Sequence, residues 1–276
     1  MQSLSHVRAA ASVARFVWTH PTNRGHRLRA IIRSAMFEAY IRATGRTRRT
    51  PFGQRSQVIA DRGHSSSVFA FHANPPDYNA MQVWRRHLQS GDLFVDVGAN
   101  IGLYTLWALE QGADVISLEP DMHACSRLRE HLELNGVEAN VLQAAAGAAR
   151  GWTALTSGKD AANHLLLDVD GDVEMVTIDD LVGGATVAGM KVDVEGAERL
   201  VLEGATSALR GQRIRLLQLE WNGLSEVILG ESRRPVAEML ARYGYKLAYP
   251  TESGTLIHVS DPPSHPGAPD VFALPE

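Results

Sequence analysis

Twelve residues, Leu93-Phe94-Val95-Asp96-Val97-Gly98-Ala99-Asn100-Ile101-Gly102-Leu103-Tyr104, have the types and spacing from which a ligand cradle can be built. Leu93–Val97 reads as a buried strand carrying a carboxylate. Gly98 and Gly102 lie four apart, and Leu103, Leu106, Trp107 and Leu109 open an apolar-periodic helix. A strand, a glycine turn and a helix N-terminus let a ligand approach backbone N–H groups closely. A dinucleotide fingerprint would need a glycine where Asn100 stands. Asp-x-Gly-x-x-x-Gly instead suits a ligand without phosphates, whose ammonium and carboxylate ends meet Asp96 and the turn formed by Gly98, Asn100 and Gly102. S-adenosylmethionine is such a ligand.

Glu119 follows Asp96 by 23 residues and closes a second apolar run. An acid about 20 residues beyond the glycine turn reaches the ribose hydroxyls of a bound nucleotide, and a carboxylate can accept two O–H donors. Pro120 turns the chain out of that strand. The adenine is expected near Gln143-Ala144-Ala145, where small side chains leave room for a flat base and Gln143 or backbone groups meet its amine.

A second acidic stretch is Lys191-Val192-Asp193-Val194-Glu195-Gly196-Ala197-Glu198. Strand alternation puts Lys191 and Asp193 on one side, with Glu195 at the strand-to-helix turn. Glu198 is as readily a helix-start acid stabilised by the helix dipole. A third stretch, Leu217-Gln218-Leu219-Glu220-Trp221-Asn222, ends in an acid and an amide. Asp193, Glu220 and Asn222 form an oxygen set of the kind Mg²⁺ accepts; a metal-free site with one carboxylate as base fits the same residues. Among the histidines, His164 beside Asn163 is the best catalytic candidate, because polar loops near a cofactor site commonly carry catalytic groups. His64 and His72 are further candidates.

These residues need a parallel sheet to bring them together. Strands are expected at Leu93–Val97, Val115–Glu119, Ala139–Ala144, Val187–Val194 and Arg213–Trp221, alternating with helices at Met122–Asn135, Ala197–Leu209 and Arg234–Tyr243. Trp152–Ser157 and Val173–Ile178 read as short strands around a polar loop, and Tyr245–Tyr249 with Thr255–Val259 as a closing antiparallel pair. The N-terminal segment predicts two helices, Ser5–Trp18 and Arg27–Thr44, then a mobile link at 45–51. A hairpin is expected from Val58–Asp61 and Ser67–His72. The organisation expected is a basic extension at 1–75, a catalytic domain at 76–260 and an extended tail with five prolines at 261–276.

Composition bounds the alternatives. A chain of 276 residues with 45% hydrophobic and 21% charged residues is ordinary for a globular enzyme. The single Cys125 excludes a disulfide framework and a cysteine zinc cluster, and favours a reducing, cytoplasmic setting. No apolar run approaches the roughly 18–20 residues of a membrane span, and the opening residues make a poor signal peptide. Net charge is −4, yet residues 1–60 hold eleven arginines against the single acid Glu38, so the rest carries about −14. Such an arm could touch anionic lipid headgroups or nucleic acid, although a solvated helical face or arginines docked on the acidic body are the commoner outcomes.

With these residues in place, the chain resembles the FkbM family of S-adenosylmethionine-dependent methyltransferases. The resemblance rests on Val95–Gly102, Glu119-Pro120, Thr177-Ile178-Asp179-Asp180-Leu181, Lys191–Glu198 and Glu220, in that order, over about residues 75–250. It implies an α/β, Rossmann-like class I methyltransferase fold with a seven-stranded, mostly parallel sheet and helices on both faces. It also implies O-methylation of a sugar in a glycolipid or polysaccharide, or of a polyketide-type natural product. Nucleic acid is not the expected partner, and peripheral membrane contact through the arginine-rich segment is compatible with it. The run Ala144–Arg150 departs from the family by lacking a polar residue after the third strand. Asp193 or Glu220 is the expected proton acceptor, with Glu195 orienting and His164 a further candidate. Two rival readings use the same residues: an NAD(P)-dependent oxidoreductase on this kind of sheet, and a non-catalytic module gripping nucleic acid or lipid through the basic arm.

Overall fold

Proline and glycine punctuate the chain where the sequence suggests. The computed structural model describes residues 2–61, 63–156, 165–166, 171–262 and 270–276, in two units, Met1–Tyr78 and Asn79–Glu276. In the first, helix α1 (Gln2–Thr19) stops before Pro21, a single 3₁₀ turn spans Pro21–Asn23, and α2 (Arg27–Thr44) ends on Gly45 at φ +63°. Strands β1 (Arg48–Phe52) and β2 (Ser56–Ala60) pair antiparallel, Thr50 opposite Val58, around Gly53 at φ +61°. Helix α3 (Ser65–His72) follows.

Two expectations are corrected here. The link at 45–51 is largely strand β1, and the hairpin lies one segment earlier than predicted, with Ser67–His72 helical. Ser67 decides the second point: its hydroxyl donates to His64 O (2.7 Å) and accepts from Asp61 N (3.3 Å), turning the chain into a helix. Helical spacing then buries Phe71 and leaves Phe69 exposed. Phe71 stacks on Phe37 of α2 with ring centroids 3.8 Å apart.

The second unit runs α4 (Tyr78–His87), β3 (Leu93–Val97), α5 (Leu103–Glu110), β4 (Asp114–Leu118), α6 (Met122–Asn135), β5 (Asn140–Leu142), β6 (Ala145–Ala146), β7 (Gly151–Leu155), β8 (Leu165–Leu166) and β9 (Val173–Val176). It continues with α7 (Ile178–Val182), β10 (Gly189–Val192), α8 (Glu198–Glu203), α9 (Thr206–Arg210), β11 (Leu217–Leu219), α10 (Leu224–Ile228), α11 (Arg234–Arg242), β12 (Tyr245–Pro250), β13 (Leu256–His258) and β14 (Val271–Pro275). Asp121 caps α6 by accepting from His123 N and Ala124 N, and Gly136 ends it at φ +61°. The predicted helix at 197–209 is two, because the chain breaks at Gly204. A Cβ on Gly204 would sit 2.0 Å from Gly147 O.

One sheet has the order β13-β12-β14-β11-β10-β3-β4-β5. Strands β11, β10, β3, β4 and β5 are mutually parallel, β14 runs antiparallel to β11 and β12, and β13 is a three-residue antiparallel edge strand. The residues assigned from sequence to an extended tail therefore supply a strand between β11 and β12. Val271, Phe272 and Ala273 are fully buried there. The β12–β13 pair forms as expected but sits outside β14. A smaller sheet has the order β6-β9-β7-β8. Met190, Val192, Leu217 and Leu219 pack under α8 residues Val201 and Leu202 in the main core.

Candidate active site

The carboxyl ends of β3, β4 and β5 carry the glycine turn, Glu119 and Gln143 side by side. Gly98 (φ +75°) and Ala99 both donate their N–H to Leu118 O, at 3.0 and 2.9 Å. Asn100 adopts φ +50° and Gly102 φ +86°. A side chain on Gly102 would meet Leu128 Cγ at 2.8 Å. Glu119 grips the turn from the next strand: one carboxylate oxygen accepts from Asn100 N at 2.6 Å, the other from Asp121 N at 2.8 Å. Each oxygen keeps a lone pair, which matches a pair of ribose hydroxyls. Pro120 is half-buried, Gln143 is exposed, and Ala145 is buried in β6 against Ala197.

Beneath the tips lies a buried polar row that sequence could not display. Register aligns Gln218, Lys191, Asp96 and Ser117 across β11, β10, β3 and β4, so all four project from one face. Helix α5 covers them. Thr105 Oγ1 donates to Asp96 Oδ2 and meets Ser117 Oγ, both at 2.7 Å. Lys191 Nζ lies 4.7 Å from the centre of the Tyr104 ring. Gln218 donates to Tyr104 OH (2.9 Å) and Asp270, and accepts from Trp84 Nε1. Asp96 has no exposed surface, so it faces this row rather than open space, and its Oδ1 finds no hydrogen-bond partner among the described residues.

One step beyond the row, at the strand tips, stand Glu220 and Asp193, with Gly98 beside them. Asp193 N donates to Val97 O and Glu220 N to Val192 O, continuing the ladders. Asp193, Glu195 and Glu220 each offer a carboxylate oxygen within 4.8 Å of the others. Glu195 reaches the group because its backbone is left-handed, at φ +55°. Asn222 does not join them: its Oδ1 accepts from Leu224 N (2.9 Å) and Arg233 Nη2 (3.0 Å), so Glu195 takes its place beside the other two acids. Lys191 Nζ lies 2.9 Å from Asp193 Oδ2. His164 lies outside the described residues. His72 is buried in the first unit, 3.3 Å from a Glu38 carboxylate oxygen, and His64 pairs there with Asp61.

Sequence reasoning missed two supports. Arg233, buried, pairs with the fully buried Glu198 and also donates to Asn222 O (2.9 Å) and Asn222 Oδ1. Glu198 accepts from Gly196 N at 3.2 Å, so one buried ion pair fixes both acidic loops. The other is Gln218; a polar residue inside the apolar run Leu216–Leu219 was its signal.

Burial dominates the electrostatics of these acids. Burial raises the carboxyl pKa of Asp96 despite Lys191. It lifts Glu119 to about 7 against two backbone N–H donors, and Glu195 to about 7 with help from Asp193 and Glu198. Glu220 is pushed up to about 10 by burial and then by the charges of Asp193 and Glu195. Burial opposes the Lys191 ammonium, but Asp193, Asp96 and Asp270 outweigh it and raise its pKa.

The model of the methyltransferase FkbM domain matches residues 96–247, more than half of the chain. The chain belongs to this family. Its fold is that of the Rossmann-like class I methyltransferases, and its chemistry is S-adenosylmethionine-dependent methylation. Among solved structures, similarity extends to the Thermus thermophilus 16S rRNA N2 G1207 methyltransferase in complex with AdoMet and guanosine. That pair shares 15% identity and a TM-score of 0.47 over 84% of this chain and 50% of the other. Precorrin-6y C5,15-methyltransferase from Geobacter metallireducens shares 13% identity at TM-score 0.40, over 71% and 87% of the two chains. A TehB-like SAM-dependent methyltransferase from Corynebacterium glutamicum shares 14% at TM-score 0.41, over 74% and 90%. A comparison with curated proteins returned no match. Among the described residues, no helix is long and apolar enough to cross a membrane.

Proposed function

We propose that this FkbM methyltransferase methylates a hydroxyl of a polyhydroxylated acceptor, a sugar of a glycolipid or polysaccharide or a polyketide-type natural product. The observation that carries the reading is the trio Asp193, Glu195 and Glu220 at adjoining strand tips, with the Asp193 backbone against the glycine turn. Carboxyl groups in mixed protonation states are good partners for neighbouring hydroxyls, since the neutral form donates and the ionised form accepts.

S-adenosylmethionine, when bound, supplies a methyl already activated by its sulfonium. What remains for the chain is positioning and removal of the acceptor proton, the latter worth roughly 10²–10⁴-fold. Asp193, held by the Lys191 ammonium, takes that proton. Glu220 and Glu195 orient the acceptor through its hydroxyls. Glu119 holds the ribose and the turn from Gly98 to Gly102 the amino-acid end, while Asp96, through Thr105 and Lys191, fixes the floor. Gln143 and Ala145 border the adenine side. No Mg²⁺ is required in this reading, because the Lys191 ammonium already sits beside Asp193.

Calorimetry with S-adenosylmethionine, its demethylated product and NAD tests the donor; heat is expected from the first two alone. Mass spectrometry of methylated sugars, glycolipids and polyketides, with and without EDTA, then tests the acceptor. Methylation of amines but not hydroxyls would overturn the O-methyl assignment. Activity lost in EDTA and restored by Mg²⁺ would overturn the metal-free site.

A further inference from the structure

None of the residues given a role above lies in the N-terminal unit, and its second helix carries two apolar faces. One face, Ala30, Ser34, Phe37 and Ile41, is buried within the unit. On the other, Leu28, Ile32, Met36 and Tyr40 recur every four residues and are 71, 59, 68 and 38% exposed. A helix needs only one apolar stripe to pack, so the second calls for a partner outside the unit. Trp18 of α1 is also exposed, with the Arg27 guanidinium 5.5 Å from its ring centre. Arg29 and Arg33 directly follow Leu28 and Ile32, and together with His26 and Ala30 they line a cavity of about 300 Å³.

Charge separates the candidate occupants. Residues 1–60 carry eleven arginines and one acid, so this face of one copy set against the same face of another would bring arginine against arginine and repel. Nucleic acid would satisfy the arginines but give Leu28, Ile32 and Met36 nothing apolar to enter. An anionic bilayer satisfies both features. A helix with an apolar stripe edged by arginines lies in the plane of the interface, its aliphatic residues at the acyl boundary and its cations among phosphates. The helix is too polar to span.

We propose that α2 docks this protein flat on an anionic phospholipid surface, with Leu28, Ile32, Met36 and Tyr40 inserted and His26, Arg29 and Arg33 receiving a headgroup phosphate. The proposal does not depend on the acceptor assigned above.

Co-sedimentation of the full chain with vesicles tests it, comparing pure phosphatidylcholine with phosphatidylcholine containing phosphatidylglycerol. Binding at least tenfold stronger to the anionic vesicles is expected, weakening as salt rises. The double variant Ile32→Ser/Met36→Ser and the single variant Arg29→Glu should each lower it at least tenfold. All three positions are exposed, and unchanged circular dichroism and S-adenosylmethionine binding would show that the variants fold. Equal binding to both vesicles, no binding, or an undiminished double variant would overturn the proposal. So would a dimer of the parent chain that the double variant dissolves. Tighter binding to a single-stranded RNA than to anionic vesicles, unaffected by the double variant, would assign the face to nucleic acid instead.

Discussion

The carbonyl oxygen of Asp193 lies where a side chain on Gly98 would have to begin: a Cβ there would come within 1.8 Å of it. The glycine turn and the acidic tip of the neighbouring strand are therefore in direct backbone contact, and the positive φ of Gly98 adds a second demand for glycine.

Gly98→Ala should accordingly destabilise the protein by at least about 1–3 kcal/mol, from backbone strain and overpacking together. Urea unfolding would measure the loss. Calorimetry on the folded fraction should show S-adenosylmethionine binding weakened at least tenfold, because the contact can be relieved only by moving the turn or Asp193. Gly183→Ala, at φ +53° but with open space around it, serves as the control with strain alone.

Cofactor affinity should rise with pH between about 6 and 8. Burial pushes Glu119 and Glu195 up to about 7, and in the proposed site the ionised forms would accept the ribose hydroxyls and attract the sulfonium. Binding should release protons, seen as a calorimetric heat that varies with the ionisation enthalpy of the buffer. The free protein should behave oppositely. Both carboxyls are raised above their unfolded value of 4.5, so their contribution to stability is full below that pH and is lost as pH rises through 7. A melting temperature that falls over this window, and falls less with cofactor present, is the expected pattern; a free protein equally stable at pH 5 and 8 would contradict it.

Two carboxyl-to-amide substitutions should part company. Asp193→Asn removes the proposed proton acceptor and should lower turnover by roughly 10²–10⁴-fold while sparing cofactor binding. Glu220→Gln should leave the free protein as stable or slightly more so, since Glu220 with its pKa near 10 is already uncharged at neutral pH. Its effect should fall mainly on acceptor KM. Turnover unchanged in Asp193→Asn would remove that residue from the mechanism.

The buried pair Glu198–Arg233 is expected to behave as a structural clamp. Glu198→Ala leaves the Arg233 guanidinium buried without its carboxylate, at a cost of about 3–5 kcal/mol by denaturant unfolding. Replacing both by apolar residues should recover much of that stability. Activity should stay low, because Arg233 would no longer hold Asn222 and Glu198 would no longer receive Gly196 N.

Local pattern in the chain was enough to predict the alternating strands and helices, the family motifs, and the acids that end strands at Glu119 and Glu220. Apolar periodicity, glycines at left-handed positions and Asp121 as a helix cap are properties of neighbouring residues, and they are legible without the fold. What required the tertiary structure was everything set by register between distant strands. Only pairing of β11, β10, β3 and β4 makes Gln218, Lys191, Asp96 and Ser117 one buried row, and only the left-handed backbone at Glu195 brings that acid to Asp193 and Glu220 in place of Asn222. Val271–Pro275 looked like part of a proline-rich tail because the strands it separates, β11 and β12, come earlier in sequence and carry no mark of the gap between them. Likewise, α2 carries apolar residues on two faces, and its sequence does not say which of them is covered. Burial depends on what packs against each face, and Phe71 and its neighbours cover that of Phe37 and Ile41.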